Sequence, residues 1–194
     1  MAKKQGGEMR LYDKRIRSAL KVKLHNQSSK PKAIIDELQV CNGNAIADVV
    51  ALYNEAHCYE IKGSTDKVER VLTQGRYYNS SFRKITLVTT QNHLEKALAI
   101  CPDFWGIMIA TEDSTSNLRF RHIRGAKVNP EFCKEMALLT LWKSEMLSIL
   151  DEQRHKRKPR DFLAQLISSN KKKIELSSNI CDLLVTRELE KAVC

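Results

Sequence analysis

The stretch 47-ADVVALYNEAHCYEIKGS-64 decides how this chain folds, because its two apolar runs read as strands and yet carry Asp48, Glu60 and Lys62. "AIADVVAL" (45–52) and "AHCYEI" (56–61) are dense in Val, Ile, Tyr and Cys, and "YNE" (53–55) between them makes a plausible three-residue hairpin connection. Side chains two apart on a strand share a face, so Cys58, Glu60 and Lys62 point together while Tyr59 and Ile61 point the other way. If Tyr53 to Glu55 form the turn, Leu52 opposes Ala56, and counting back along both strands sets Asp48 opposite Glu60. Such partners have Cβ atoms about 5 Å apart. A two-residue turn would instead turn Asp48 to the other face.

A charge in a strand interior costs several kcal/mol unless it is paired or holds a metal. Two carboxylates this close repel, and one must rise in pKa unless a cation neutralises them. A divalent ion with oxygen ligands does so, taking one or two carboxylates plus water and phosphate oxygens. Lys62 is then placed to orient or deprotonate a bound water, a set suited to metal-assisted phosphodiester hydrolysis. The plainer reading stands beside it: E-x-K is common, and a carboxylate with a lysine two residues on is often a surface pair worth under about 1 kcal/mol.

Outward from this hairpin the chain alternates. "MRLYDKRIRSALKVKLH" (9–25) is an amphipathic helix with Ile16, Ala19, Leu20 and Leu24 on one stripe and a cationic outer face. "AIIDELQV" (33–40) is too short to assign and fits either a helix end or a strand. Thr65 to Phe82 reads as a helix capped by Ser64 or Thr65. It is followed by the strand "KITLVTT", the helix "NHLEKALAI", the strand "FWGIMIAT" and the edge strand "LRFRHIR". Residues 130–153 read as one helix opened by Pro130, with Phe132, Met136, Leu139, Trp142, Met146 and Ile149 on a core-facing stripe; helices near 160–168 and 179–192 follow. Trp105 and Trp142 are simplest as core residues, and His57 and His122 as structural ones. The expected division is a mixed α/β core over 9–125 and a helical extension packed on it over 126–194.

The 194 residues, with 42% hydrophobic and 29% charged, suit an ordinary globular protein. The excess of 33 Lys+Arg over 23 Asp+Glu gives +10, which favours a polyanionic partner. Residues 1–32 hold ten Lys/Arg against Glu8 and Asp13, and "RHKRKPR" (154–160) is a second basic cluster. Lys14, Arg17, Arg76, Arg154, Lys156, Arg157 and Lys158 are the candidate nucleic-acid contacts, with Lys171 to Lys173 an extension, and solvated loops the alternative. For the first ten residues a solvated tail is preferred. The six cysteines make no C-x-x-C pair or zinc spacing, which suits a reducing compartment. With no leader and no apolar run near the roughly 20 residues a membrane helix needs, a cytoplasmic protein with no membrane contact is expected.

The ordered motifs "IIDEL", "AIADVV", "CYEIKGS", "RVLTQGRYY", "ITLVTT" and "CPDFWGI", then "LLTLWKSEML" and "KPRDFLAQLI", resemble the PD-(D/E)XK nuclease superfamily, and within it a bacterial and phage group. The resemblance spans roughly residues 10–168. It implies a restriction-endonuclease-like fold, a mixed central sheet flanked by helices with a C-terminal helical extension. It implies a Mg²⁺- or Mn²⁺-dependent nuclease acting on nucleic acid, DNA being the expected form, in a setting such as phage or bacterial defence. Asp48, Glu60 and the Ile61 carbonyl would hold the metal, Lys62 would activate water, and Glu37, on an upstream helix in the family, would assist through a second ion or water. Gln74 and Tyr78, four apart on one helix face, would match the Q-x-x-x-Y of some branches. Ala47 replaces the proline of the superfamily's name, Ile46 stands where a basic residue is expected and Gly63 replaces a serine. A catalytically silent nucleic-acid-binding or assembly module with the same fold is the alternative, and a homodimer or a protein partner stays open.

Overall fold

The computed structural model describes residues 11–150 and 153–193. The basic tail over residues 1–10 and the acidic pair at 151–152 lie outside the described residues, as does Cys194.

Six strands form one mixed sheet in sequence order: β1 (Ala33–Val40), β2 (Ala45–Leu52), β3 (Ala56–Ile61), β4 (Lys84–Thr90), β5 (Gly106–Glu112) and β6 (Leu118–Arg124). β1, β2 and β3 run antiparallel as a meander, β3, β4 and β5 are parallel, and β6 returns antiparallel along the far edge. The two parallel steps need crossovers, supplied by α2 (Arg70–Ser81) and α3 (Leu94–Ile100). Leu52 pairs with Ala56 across Tyr53 to Glu55, the register the sequence predicts, and the same ladder carries Val49 to Tyr59.

Alternation along the strands divides the core in two. Val49, Ala51, Tyr59, Ile61, Val88 and Met108 face Ile16, Leu20 and Leu24 of α1 (Asp13–Asn26). Val50, Leu52, Cys58, Ile85, Leu87 and Ile107 face a helical layer of α2, α4 (Lys134–Leu138), α6 (Arg160–Asn170) and α7 (Lys173–Val193). That second core is continuous from the sheet to Leu163, Ile167, Leu176 and Leu184, so the helices after residue 126 complete the sheet's own core. Cys41, Cys58, Cys101 and Cys181 are buried free thiols and Cys133 is half-buried, each acting as a small apolar side chain.

One open assignment is settled and two elements differ from expectation. The ambiguous 33–40 segment is an edge strand. The helix expected from Thr65 begins at Arg70, with no side-chain cap from Ser64 or Thr65. The helix expected over 130–153 breaks into α4 and α5 (Lys143–Leu150). At the break, Arg160 Nη2, distant in sequence, donates to the Leu139 and Leu141 carbonyls at 2.6 and 2.7 Å, while the nearby Glu145 carboxylate accepts the Trp142 N–H and is itself held by Arg187. Trp142 is therefore turned out, 54% exposed, whereas Trp105 is fully buried.

Candidate active site

The β2–β3 ladder stops at Val49 and Tyr59, and beyond it Asp48 turns its carboxylate between the strands. Asp48 Oδ2 accepts the Ile61 N–H at 2.7 Å, while Oδ1 accepts Arg17 Nη2 at 2.9 Å. Lys62 bonds Glu60 Oε1 and reaches Gln74 Oε1 at 3.2 Å. Glu60 is 1% exposed and Lys62 7%, so this is a buried ion pair. Lys62 is fixed by its neighbours: its N–H donates to Val88 O at 2.9 Å, extending the β3–β4 ladder, and its carbonyl accepts Thr89 Oγ1 at 2.8 Å.

Burial and, next, the Glu60 charge push the Asp48 carboxyl up to about 7, against the Ile61 N–H, Lys62 and Arg17, which lower it. Asp13 is raised too, by burial first and then by Asp48. Burial, followed by the nearby Glu60 charge, raises the Tyr78 hydroxyl well above its ordinary range.

Gln74 and Tyr78 face the sheet from α2. Tyr78 is fully buried and donates to Ile46 O at 2.7 Å, so it anchors β2 and does not reach a substrate. α2 can approach this closely because Gly75 lies against Trp105; a Cβ there would sit 3.2 Å from the indole. Gly63 answers to a similar constraint: a Cβ would stand 2.6 Å from Leu11 O and 3.0 Å from Asp13 N. The serine expected after the lysine would collide with the start of α1.

Glu37 departs from expectation. It lies on β1 and not on a helix, in the left-handed region at φ 55°, with its side chain 67% exposed. Its carboxylate accepts Arg17 Nη1 at 2.9 Å and meets Asp48 only through that guanidinium. Arg17, expected on a nucleic-acid surface, is instead 17% exposed and spans Asp13 (3.2 Å), Glu37 and Asp48. The acidic residue that a helix does bring to the site is Asp13, which sequence reasoning missed. Its signal was the i,i+4 spacing of Asp13 and Arg17 in "DKRIR", beside the buried Ile16. Lys14 and Arg76 are exposed, Arg76 lying over the Tyr77 ring at 4.8 Å. Lys156, Arg157 and Lys158 are exposed, and Lys171 pairs with Glu175.

Do these residues fit a divalent cation? Glu60 Oε2 and Asp13 Oδ1 are sealed from solvent without a hydrogen-bond partner. Those oxygens, with the Asp48 carboxylate, are hard donors of the type Mg²⁺ and Mn²⁺ take, whereas Glu37 is turned away to Arg17. Among the described residues no three His, Cys, Asp or Glu side chains are already gathered to hold a metal ion. The fit is that of two carboxylates, Asp48 and Glu60, with Arg17 and Lys62 now supplying the positive charge.

The class defined here is a mixed α/β protein with a buried acidic site, met by Arg17 and Lys62, at the splayed end of its central strands. The chain belongs to the bacteriophage P4 protein cII family, which it matches over residues 8–183. It is 27% identical over 119 residues to Protein cII of Enterobacteria phage P4, covering 61% of this chain and 45% of that protein. The chain thus spans under half the length of that relative. Among solved structures, it is similar to the SPO1766 protein of unknown function from Silicibacter pomeroyi, with 17% identity, a TM-score of 0.38, and coverage of 66% of this chain and 82% of that one. No helix among the described residues is long and apolar enough to cross a membrane.

Proposed function

We propose that the chain is a metal-dependent nuclease of PD-(D/E)XK type, using Mg²⁺ or Mn²⁺ to hydrolyse phosphodiester bonds, with DNA as the substrate. The observation that carries the reading is the meeting of Asp48, Glu60 and Lys62 at the end of β2 and β3, with Glu60 Oε2 buried and unpartnered. A bound divalent ion would polarise the phosphate and acidify a water. Asp48 and Glu60 would offer it oxygen, beside the Ile61 backbone. Lys62, held between Glu60 and Gln74, presents an ammonium that orients the attacking water and meets the charge growing on phosphate. Tyr78, by tying down β2, fixes where Asp48 sits.

A second reading, a silent nucleic-acid-binding or assembly module, is favoured by one contact, the Arg17 guanidinium on Asp48. The two separate in an assay with Mn²⁺ or Mg²⁺ on single-stranded, duplex and branched DNA. Wild type cleaves and Asp48→Asn does not; no cleavage by wild type on any substrate, or equal cleavage by both, would refute the nuclease.

A further inference from the structure

A cleft of about 320 Å³ runs from the β1 edge to the helical layer, lined by Glu37, Gln39, Trp142, Arg160, Arg187 and Lys191 among others. At one end lies Glu37, which shares Arg17 with Asp48, and at the other the exposed indole of Trp142. We propose that this cleft seats a single-stranded nucleic acid, one base stacked on Trp142 and the flanking phosphates on the basic segment 154–158.

Trp142 is built as a platform. Its ring is backed by the Arg187 guanidinium, 4.3 Å from the ring, and Arg187 is only 6% exposed. Arg187 Nε donates to Glu145 at 2.8 Å, and Glu145 accepts the Trp142 N–H, so backbone and ring are gripped by one buried ion pair. An aromatic ring held rigid with half its surface in solvent is how proteins stack unpaired bases. The basic segment is stitched to this platform by Arg160, whose guanidinium caps the Leu139 and Leu141 carbonyls just before Trp142. Beside it Lys158 lies over Phe162, a second exposed aromatic, at 5.0 Å.

The acidic residues of the cleft do not oppose a polyanion. Asp36, Glu37 and Glu188 are each paired, with Lys21, Arg17 and Lys191. Lys156, Arg157 and Lys158, exposed on the segment that leads into the cleft residue Arg160, add positive charge beside it. A base can stack on Trp142 only when unstacked from its neighbours, which a single strand allows and an intact duplex does not.

The inference rests on the reading that the chain acts on nucleic acid, and binding in EDTA tests it apart from cleavage. Anisotropy of labelled oligo(dT), oligo(rU) and a hairpin duplex is measured on the full chain, with tryptophan fluorescence recorded alongside. Wild type should bind oligo(dT) more tightly than the duplex and show quenching. Trp142→Ala should weaken that binding roughly 5- to 100-fold, the loss of one stacked base. Trp142→Phe should stay within about 3-fold of wild type, and the oligo(rU) arm tells RNA from DNA. Equal oligo(dT) binding by wild type and Trp142→Ala, with both folded by circular dichroism, overturns the proposal, as does wild type that binds neither strand type or favours the duplex. Binding through Trp142 without metal-dependent cleavage would leave this seat standing and sink the nuclease; cleavage that ignores Trp142 would do the reverse.

Discussion

Asp48→Asn should make the protein more stable while abolishing cleavage. The Asp48 carboxyl titrates at about 7 in the fold against 3.8 for an ordinary aspartate. A raised folded pKa means that the native state holds the proton more tightly than the unfolded chain does. Its contribution to stability is therefore complete below about pH 4 and lost as pH rises through 7. The rise from 3.8 to about 7, at 1.36 kcal/mol per pH unit, is worth about 4 kcal/mol; since the side chain is 19% exposed, solvent reduces this to about 2–4 kcal/mol. The amide keeps an oxygen for the Ile61 N–H and removes the charge. At pH 8, in EDTA, Asp48→Asn should melt higher by on the order of 5–15 °C, and near pH 4 the two curves should coincide. Thermal unfolding at the two pH values decides it. A variant less stable than wild type at pH 8, or a gap independent of pH, would show that Arg17 and Lys62 already neutralise the site and that Asp48 is a structural partner. Lys62→Ala is a poorer test: it strips the counter-ion from Glu60, 1% exposed, and such a loss costs about 3–5 kcal/mol, so lost cleavage in that variant would not be separable from a damaged fold.

Two further outcomes come from the same geometry. Burial first, then the charges of Lys84 and His122, lower the His57 imidazole from 6.5 to about 3, so its contribution is present above about pH 6.5 and lost as pH falls toward 3. Urea titrations of His57→Gln, which retains a polar group for Thr86, should show a flatter acid limb between pH 6 and 4; an unchanged slope refutes the assignment. Gly63→Ser should lower the melting temperature by several degrees, as overpacking against the Leu11 and Asp13 backbone costs about 1–3 kcal/mol. An unshifted melting curve would mean that α1 does not press on this turn.

The hairpin was legible because its register follows from local turn length and strand alternation, both carried by adjacent residues. From "ADVVALYNEAHCYEIK" alone one can place Asp48, Glu60 and Lys62 at one end of one sheet. Gln74 and Tyr78 were legible as a pair for the same reason, four residues on one helix. What failed was non-local. Trp142 fits a helical stripe perfectly well in sequence; Arg160 and Arg187, from other helices, act at the break, Arg160 on the Leu139 and Leu141 carbonyls and Arg187 on Glu145. β1 was ambiguous because the segment is too short to assign from its pattern, and Asp36 and Glu37 interrupt its alternation, as befits an edge strand with a left-handed residue. Arg17 read as a nucleic-acid contact and Asp13 had no role, since their i,i+4 spacing does not by itself tell that α1 lays that face over the splayed end of β2 and β3.

That splay explains why so much charge collects at one point without unfolding the sheet. Where β2 and β3 part, the Ile61 N–H lies past the end of their ladder, and the Asp48 carboxylate supplies its acceptor. The gap opens Asp48 to α1 on one side while Glu60 and Lys62 stay under α2 on the other, so each carboxylate has its own cation, Arg17 on Asp48 and Lys62 on Glu60. Lys62 is tied to Gln74 and the Val88 and Thr89 backbone and is fixed in place. Arg17 is bound only through side chains, two of them 41% and 67% exposed, so it is the cation that can yield. A metal competing for Asp48 would therefore displace the guanidinium and leave the ammonium at its post, and Arg17→Gln should raise Mn²⁺ affinity measured calorimetrically by several-fold. Equal affinity in the two proteins would place the metal elsewhere or nowhere.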